Sequence, residues 1–171
     1  MLRFARPIGT AVAVVIALLT AGASPGAAAT ADGPFRVVNQ NSGKCLAIPG
    51  GTTADHTRAI QFTCSPETAS KQWDVVVLYT DEYGNRVHRL ENRASHRCLG
   101  VAAESTSNGA AVWQESCSTS FFQRWAWDKA GRLHNVATDK CMAVPNGWLS
   151  DGVGIIQWTC GTGAEQRWAL A

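Results

Sequence analysis

The sequence has few charged residues and no large excess of either sign. Charged side chains make up 16% of the 171 residues, with 15 Lys and Arg against 13 Asp and Glu. Proteins that bind nucleic acid or anionic lipid usually present a strongly basic surface to the phosphate groups. The composition therefore argues against both partners, and we expect neither nucleic acid binding nor attachment to a charged membrane.

Helical periodicity and long apolar runs are also missing downstream of residue 29. No window of helical length keeps a 3.6-residue hydrophobic period there, which predicts an all-β chain. The one long apolar run, residues 11–21, is short for a membrane span, so we expect no membrane insertion. It follows a basic segment and precedes Ala27-Ala28-Ala29, a pattern typical of signal peptidase cleavage. We predict a signal peptide over residues 1–29 and secretion to the extracellular space, with an uncleaved anchor as the alternative.

Motifs of catalysis and metal binding are absent from the predicted mature chain, residues 30–171. The one Gly-x-Ser-x-Gly spans residues 22–26, inside the leader and without the strand and helix that it needs. No C-x2-C or H-x3-H spacing indicates a metal site. We therefore expect no cofactor, no metal and no catalytic residue, and predict that the protein is not an enzyme. A glycosidase carboxylate pair is the alternative left open, because the fold and not the spacing would place it.

Six cysteines, an even number, all follow the predicted leader, and in an oxidising compartment this indicates three disulfides. They form three pairs with the same separation of 19 positions. Six cysteines allow fifteen pairings, but only pairing within each unit treats the three units alike. We therefore predict the disulfides Cys45–Cys64, Cys98–Cys117 and Cys141–Cys160.

The cysteine pairs mark three internal repeats. Each repeat has an asparagine six positions before its first cysteine: Asn39, Asn92 and Asn135. Gln123-Arg124-Trp125 and Gln166-Arg167-Trp168 follow the second cysteine in the later repeats. The first repeat has Lys71-Gln72-Trp73 instead, so its tryptophan stands one place early relative to glutamine.

Dipeptides at one recurring position, two of the three of a kind that favours tight hairpin turns, predict that the repeats consist of short strands and hairpins. They lie ten positions after each first cysteine, at residues 55–56, 108–109 and 151–152. Glutamine recurs three positions before each second cysteine, which favours a structural hydrogen bond over a ligand contact. We place the repeats at about 35–87, 88–130 and 131–171, and interpret residues 75–87 as a lengthened hairpin with a polar turn at Asp81, Glu82, Gly84 and Asn85.

Three such units resemble the ricin B-chain-like (R-type lectin) β-trefoil domain with its Gln-x-Trp repeats. The resemblance covers roughly residues 35–171 and implies an all-β fold, a β-trefoil of three disulfide-stapled repeats. It implies that the motif tryptophans are structural. It also implies a shallow sugar pocket on each repeat, with an acid two places after the first cysteine, an aromatic platform two places before the second, and often an asparagine before the motif glutamine.

The chain departs from that pocket pattern in every repeat. The acidic position holds Ala47, Gly100 and Ala143, the platform position holds Phe62, Glu115 and Trp158, and the position assigned to the residue before the motif glutamine holds Lys71, Phe122 and Glu165. We therefore expect the second repeat to be silent. The candidate carbohydrate-binding residues are Trp158, Asp151, Asn146 and Glu165 in the third repeat and Phe62 and Asp55 in the first. Turn geometry alone could account for both aspartates, and packing for Trp158.

These observations predict a secreted carbohydrate-binding module whose partner is a glycan or polysaccharide. The missing carboxylate removes a charge-assisted hydrogen bond, so binding at a single site should be weak and should depend on multivalent display. The alternative is a secreted β-trefoil that binds a protein partner without sugar, as an inhibitor or adhesin.

Overall fold

The computed structural model describes residues 31–64 and 68–171. The predicted signal peptide lies outside the described residues. Within them, all regular structure consists of short β-strands and six single 3-10 turns, so the all-β prediction is confirmed. No helix in this part of the chain is long and apolar enough to cross a membrane.

The described residues form fourteen strands: an N-terminal strand that pairs with the first lobe, and thirteen strands that form three lobes. The strands are β1 Ala31–Phe35, β2 Val37–Asn39, β3 Cys45–Ala47, β4 Thr57–Arg58, β5 Ile60–Phe62, β6 Trp73–Thr80, β7 Arg86–Asn92, β8 Cys98–Val101, β9 Val112–Glu115, β10 Trp125–Trp127, β11 Leu133–Asn135, β12 Cys141–Ala143, β13 Ile156–Trp158 and β14 Trp168–Leu170. The first lobe runs from β2 to β6, the second from β7 to β10 and the third from β11 to β14.

The first and last strands of the lobes form a barrel. Antiparallel pairs join β6 to β7, β7 to β10 and β10 to β11, and a further pair joins β14 to β2. Within the third lobe, an antiparallel bridge joins Arg132, just before β11, to Arg167, just before β14. The long β6–β7 hairpin is the one predicted between the first and second repeats.

The middle strands of each lobe form a hairpin that covers one end of the barrel. The pairs are β3 with β5, β8 with β9 and β12 with β13. Three buried residues, Ala59, Val112 and Ile155, close the cap through a cycle of backbone hydrogen bonds. The amide of each donates to the carbonyl of the next over 2.9 to 3.0 Å. Three lobes arranged about one axis in this way form a β-trefoil, as predicted.

Each lobe is fixed by one disulfide and one buried tryptophan. The bonds Cys45–Cys64, Cys98–Cys117 and Cys141–Cys160 confirm the symmetric pairing, and no free cysteine remains. The indole N–H groups of Trp73, Trp125 and Trp168 donate to the carbonyls of Leu46, Leu99 and Met142, respectively. All three tryptophans are at most 1% exposed, so they belong to the core.

The position of Trp73 corrects the register that we assigned to the first repeat. Trp73 makes the same buried contact as its two equivalents, so it does not stand early. The 3-10 turns before the three tryptophans end at Lys71, Gln123 and Gln166. Lys71 therefore occupies the position of the motif glutamine in the first repeat. The residue before the motif glutamine, which we had assigned to Lys71, is Ser70.

The recurring polar residues join one lobe to the next. Gln157, completely buried, donates to the carbonyls of Ser105 and Ser107 in the second lobe and accepts from the Thr138 hydroxyl. Gln61 and Gln114 make the equivalent contacts. The predicted structural hydrogen bond is confirmed, and it spans lobe boundaries.

Candidate carbohydrate-binding site

The third lobe has a pocket of about 350 Å³ that contains three of the predicted site residues. Trp158, Asn146 and Glu165 all line it, and Ala143 and Ile156 supply apolar surface. The Trp158 side chain is 46% exposed, in contrast to the buried motif tryptophans. The sequence prediction that these three residues lie together therefore agrees with the structure.

Three local structures position these side chains. Trp158 ends strand β13, and its ring lies beside Gly109, where a Cβ would contact it at 3.8 Å. Asn146 has a φ of 53°, a conformation that asparagine tolerates better than most residues, within the turn Pro145–Gly147. Glu165 lies in the turn Ala164–Gln166. Its backbone carbonyl accepts a hydrogen bond of 3.1 Å from the amide of Val144, which fixes this turn to the strand side of the pocket.

The pocket can make both kinds of contact that a sugar ring requires. An exposed indole can cover an apolar C–H face, while amide and carboxylate groups bond to hydroxyls. Ala143 is almost completely buried and brings no polar group to its position. The acid of this pocket is Glu165, whose carboxylate folds back over Gly163 and would overlap a Cβ there.

Asp151 does not line this pocket. Its carboxylate accepts hydrogen bonds from the amide and hydroxyl of Thr63, at 2.7 and 2.9 Å, and lies 2.7 Å from the Lys44 ammonium. The hydrogen bond from Lys44, with those from Thr63, lowers the pKa of Asp151. Asp151 therefore joins the third lobe to the first, and the structure separates it from Trp158.

Asp55 occupies the equivalent position between the first and second lobes. Its carboxylate lies 2.6 Å from the Arg97 guanidinium and accepts from the Ser116 hydroxyl at 3.1 Å. Asn108 bonds Thr159 in the same way between the second and third lobes. This threefold recurrence was visible in the sequence and indicates a structural role for the turn residues, as it did for the glutamines.

The first lobe has an apolar pocket of about 610 Å³ around Phe62. The Phe62 ring is 39% exposed, and the Lys71 ammonium lies 4.9 Å from its centroid. Asp55 is not among the residues that line this pocket. Among the described residues that line this pocket, Lys71 is the one basic side chain, and none is acidic.

The second lobe has a carboxylate where the platform would be. A Cβ built on Gly100 would lie 2.6 Å from a carboxylate oxygen of Glu115 and 3.1 Å from Gln123. The Glu115 side chain thus fills space that opens beside Gly100. The expectation of a silent second repeat stays a prediction, although the absence of an aromatic platform is consistent with it.

Two groups of potential metal ligands occur among the described residues, and each includes a disulfide. They are His134 with Cys141 and Cys160, and Glu91 with Cys98 and Cys117. Both cysteines of each group are bonded to one another. Because the thiolate is the form of cysteine that binds metal, we assign no metal to either group.

The sequence matches the ricin-type β-trefoil lectin domain over residues 33–168, and the chain belongs to this family. A designed threefold-symmetric protein, ThreeFoil, is 31% identical with a TM-score of 0.72, and the match covers 82% of this chain and 99% of that one. An exo-β-1,3-galactanase from Clostridium thermocellum is 27% identical with a TM-score of 0.70, over 81% of this chain but 30% of the enzyme. The C-half of an earthworm R-type lectin, solved with GalNAc, shares the fold at 16% identity and a TM-score of 0.60, over 80% of this chain and 95% of that one. The comparison with curated proteins gave no match.

Proposed function

We propose that the protein is a secreted carbohydrate-binding module, not an enzyme, and that the third lobe dominates glycan binding. The observation that carries this proposal is the exposed Trp158 ring in a pocket that also contains Asn146 and Glu165. Stacking on the indole would hold the sugar, and the amide and carboxylate would select its hydroxyls. Membership of the lectin family supports the same class of ligand.

Secretion is part of the proposal and is supported by two features. The predicted leader over residues 1–29 has the charge and apolar pattern of a signal peptide. The mature chain has three disulfides, which persist in oxidising compartments. The match to the galactanase covers only 30% of that enzyme, so it provides no support for catalysis by this chain.

Affinity at the single site should be weak. Ala143 removes the acid that the family pattern has at that position, and a hydrogen bond to a charged group contributes about 1.5–3 kcal/mol. Glu165 would replace part of this contribution from the other side of the pocket. Strong retention would therefore require a ligand that displays many copies of the sugar, such as a polysaccharide.

A glycan array followed by calorimetric titration of the best ligand tests the proposal. We expect Trp158→Ala to weaken binding about tenfold or more, as loss of a central aromatic contact typically does. Trp148→Ala is the matched control, because Trp148 is a 57% exposed tryptophan of the same lobe that does not line the pocket. It should bind like the parent protein.

Phe62→Ala distinguishes the third lobe from the first. We expect this variant to retain most of the affinity, with its melting temperature confirming that it folds. An equal or greater loss than in Trp158→Ala would place the main site in the first lobe. If the folded parent binds no glycan, the carbohydrate function itself is wrong, and a protein ligand becomes the class to test.

A further inference from the structure

A cleft of about 800 Å³ lies outside the pockets of the first and third lobes and has no part in the proposed function. The long β6–β7 hairpin forms one wall, and the β10–β11 hairpin with the turn that follows β11 forms the other. It is larger than the third-lobe pocket and shares no lining residue with it. The first wall exists because the β6–β7 hairpin, between the first and second lobes, is longer than the β10–β11 hairpin, between the second and third.

Two tyrosines expose their rings on the long hairpin. Tyr83, at the tip, is 78% exposed, and Tyr79, at the end of β6, is 39% exposed. Both line the cleft. Exposed aromatic rings at the mouth of a concave surface can cover the apolar face of a ligand or contact a cation through the ring face.

The two hairpins end in the same kind of turn, in which an aspartate accepts hydrogen bonds from nearby backbone amides. Asp81 accepts from the amides of Tyr83 and Asn85, and Asp128 accepts from those of Ala130 and Arg132. Both aspartates stabilise their turns through these hydrogen bonds. Both also line the cleft, so their negative charge contributes to it.

The two basic side chains of the cleft, Arg132 and His134, both contact carboxylates of the cleft itself. The Arg132 guanidinium donates to Asp128 at 2.7 Å and to the carbonyl of Gly161 at 3.1 Å. His134 lies between Asp128, at 2.8 Å, and Asp139, at 3.4 Å. Burial opposes ionisation of Asp128, but the hydrogen bonds from His134 and Arg132 outweigh it and lower its pKa to about 2.

Negative charge remains after these pairings. Glu82 and Asp139 also line the cleft, and the Asp139 side chain is 96% exposed. Of the lining residues, four are acidic, and Arg132 is the single Lys or Arg. Tyrosine rings together with excess carboxylate complement an ammonium group that is attached to a hydroxylated ring.

We propose that this cleft is a second glycan subsite, selective for a sugar residue with a free amine. The ammonium would face the carboxylates of Glu82 and Asp139, and the sugar face would lie against Tyr83. This inference rests on the proposed carbohydrate function but uses a different surface. It makes the protein a binder of partly de-N-acetylated polysaccharide, with one neutral and one cationic subsite.

The test uses NMR titration of the disulfide-bonded protein with a β-1,4-glucosamine tetramer and with its fully N-acetylated counterpart. We expect the glucosamine tetramer to shift amides of residues 79–85 and 128–139, with affinity about tenfold higher than for the N-acetylated tetramer, because an ammonium adds ionic and cation–π contacts. Added salt should weaken this binding. Tyr83→Ala and the double variant Glu82→Gln/Asp139→Asn should abolish the preference, while Trp158→Ala should keep it.

Glu104→Gln, an exposed acid of the second lobe outside the cleft, is the charge control and should behave like the parent. Equal affinity for the two tetramers, or no shift at the cleft, would overturn the inference. Shifts confined to the Trp158 indole and its surroundings would support the proposed function and refute the cleft. Shifts confined to the cleft would support the inference and refute the third lobe as the dominant glycan site.

Discussion

Replacement of Gln157 by alanine tests whether hydrogen bonds between lobes hold the trefoil together. The side chain is completely buried and makes bonds of 2.7 and 3.0 Å to the second lobe and of 2.8 Å to Thr138. A buried hydrogen bond contributes about 1 kcal/mol, so loss of three lowers the free energy of unfolding by about 3 kcal/mol. For a domain of this size, the melting temperature should fall by about 10 °C.

Thermal unfolding with the disulfides intact measures this change. Gln40→Ala is the matched control, because Gln40 is an exposed glutamine beside the lobe boundary. Gln157→Met separates lost hydrogen bonds from lost volume, since methionine keeps most of the side chain but cannot satisfy the two carbonyls. A melting temperature for Gln157→Ala within about 2 °C of the control would refute the account.

Two further predictions concern stability. Trp168→Ala should lower the free energy of unfolding by about 3–5 kcal/mol and reduce the yield of folded protein, because it removes a core tryptophan. A normal yield with the melting temperature of the parent would contradict the structural role. The pKa of Asp128 is lowered from 3.8 to about 2, so the folded state binds fewer protons than the unfolded state at acidic pH. Its contribution, about 1 kcal/mol after solvent screening, is present above about pH 4 and is lost as the pH falls toward 2. Denaturant titrations across this range should show a smaller decrease in Asp128→Asn than in the parent.

The repeats, disulfides and hairpins could be predicted because they depend on local spacing. A separation of 19 residues closes the same loop in each lobe. The turns also recur with positive φ at their second residue, as at His56 and Gly152. Trp158, Asn146 and Glu165 lie in one lobe, so closeness in sequence brought them to one pocket.

Contacts between lobes could not be predicted in the same way. Asp151 is separated from Thr63 by 88 positions, and only the arrangement of the lobes brings them together. The role of Lys71 was missed because the first repeat was aligned on its glutamine. The buried tryptophan is the better reference, since core packing fixes its position in each lobe. The cleft combines hairpins on either side of the second lobe, which no single repeat contains.

The lobes are alike where they build the fold and different where they face ligand. The asparagines, glutamines of the cap, cysteines and motif tryptophans recur in all three. The pocket positions differ in charge: Lys71 lies over Phe62, Glu115 fills the space beside Gly100, and Glu165 accompanies Trp158. A short sugar chain therefore meets three chemically different surfaces and should not bind them equally.

This asymmetry predicts that a neutral oligosaccharide titrates one site per chain. Calorimetry with the best neutral array ligand should give a stoichiometry near one, and Trp158→Ala should weaken this binding about tenfold or more. A long polymer of the same sugar should be retained far more strongly on a surface, because many chains then bind one polymer and rebinding slows release. A stoichiometry near three, with equal affinities, would mean that the pocket differences do not control binding. The assignment of the third lobe as the dominant site would then be wrong.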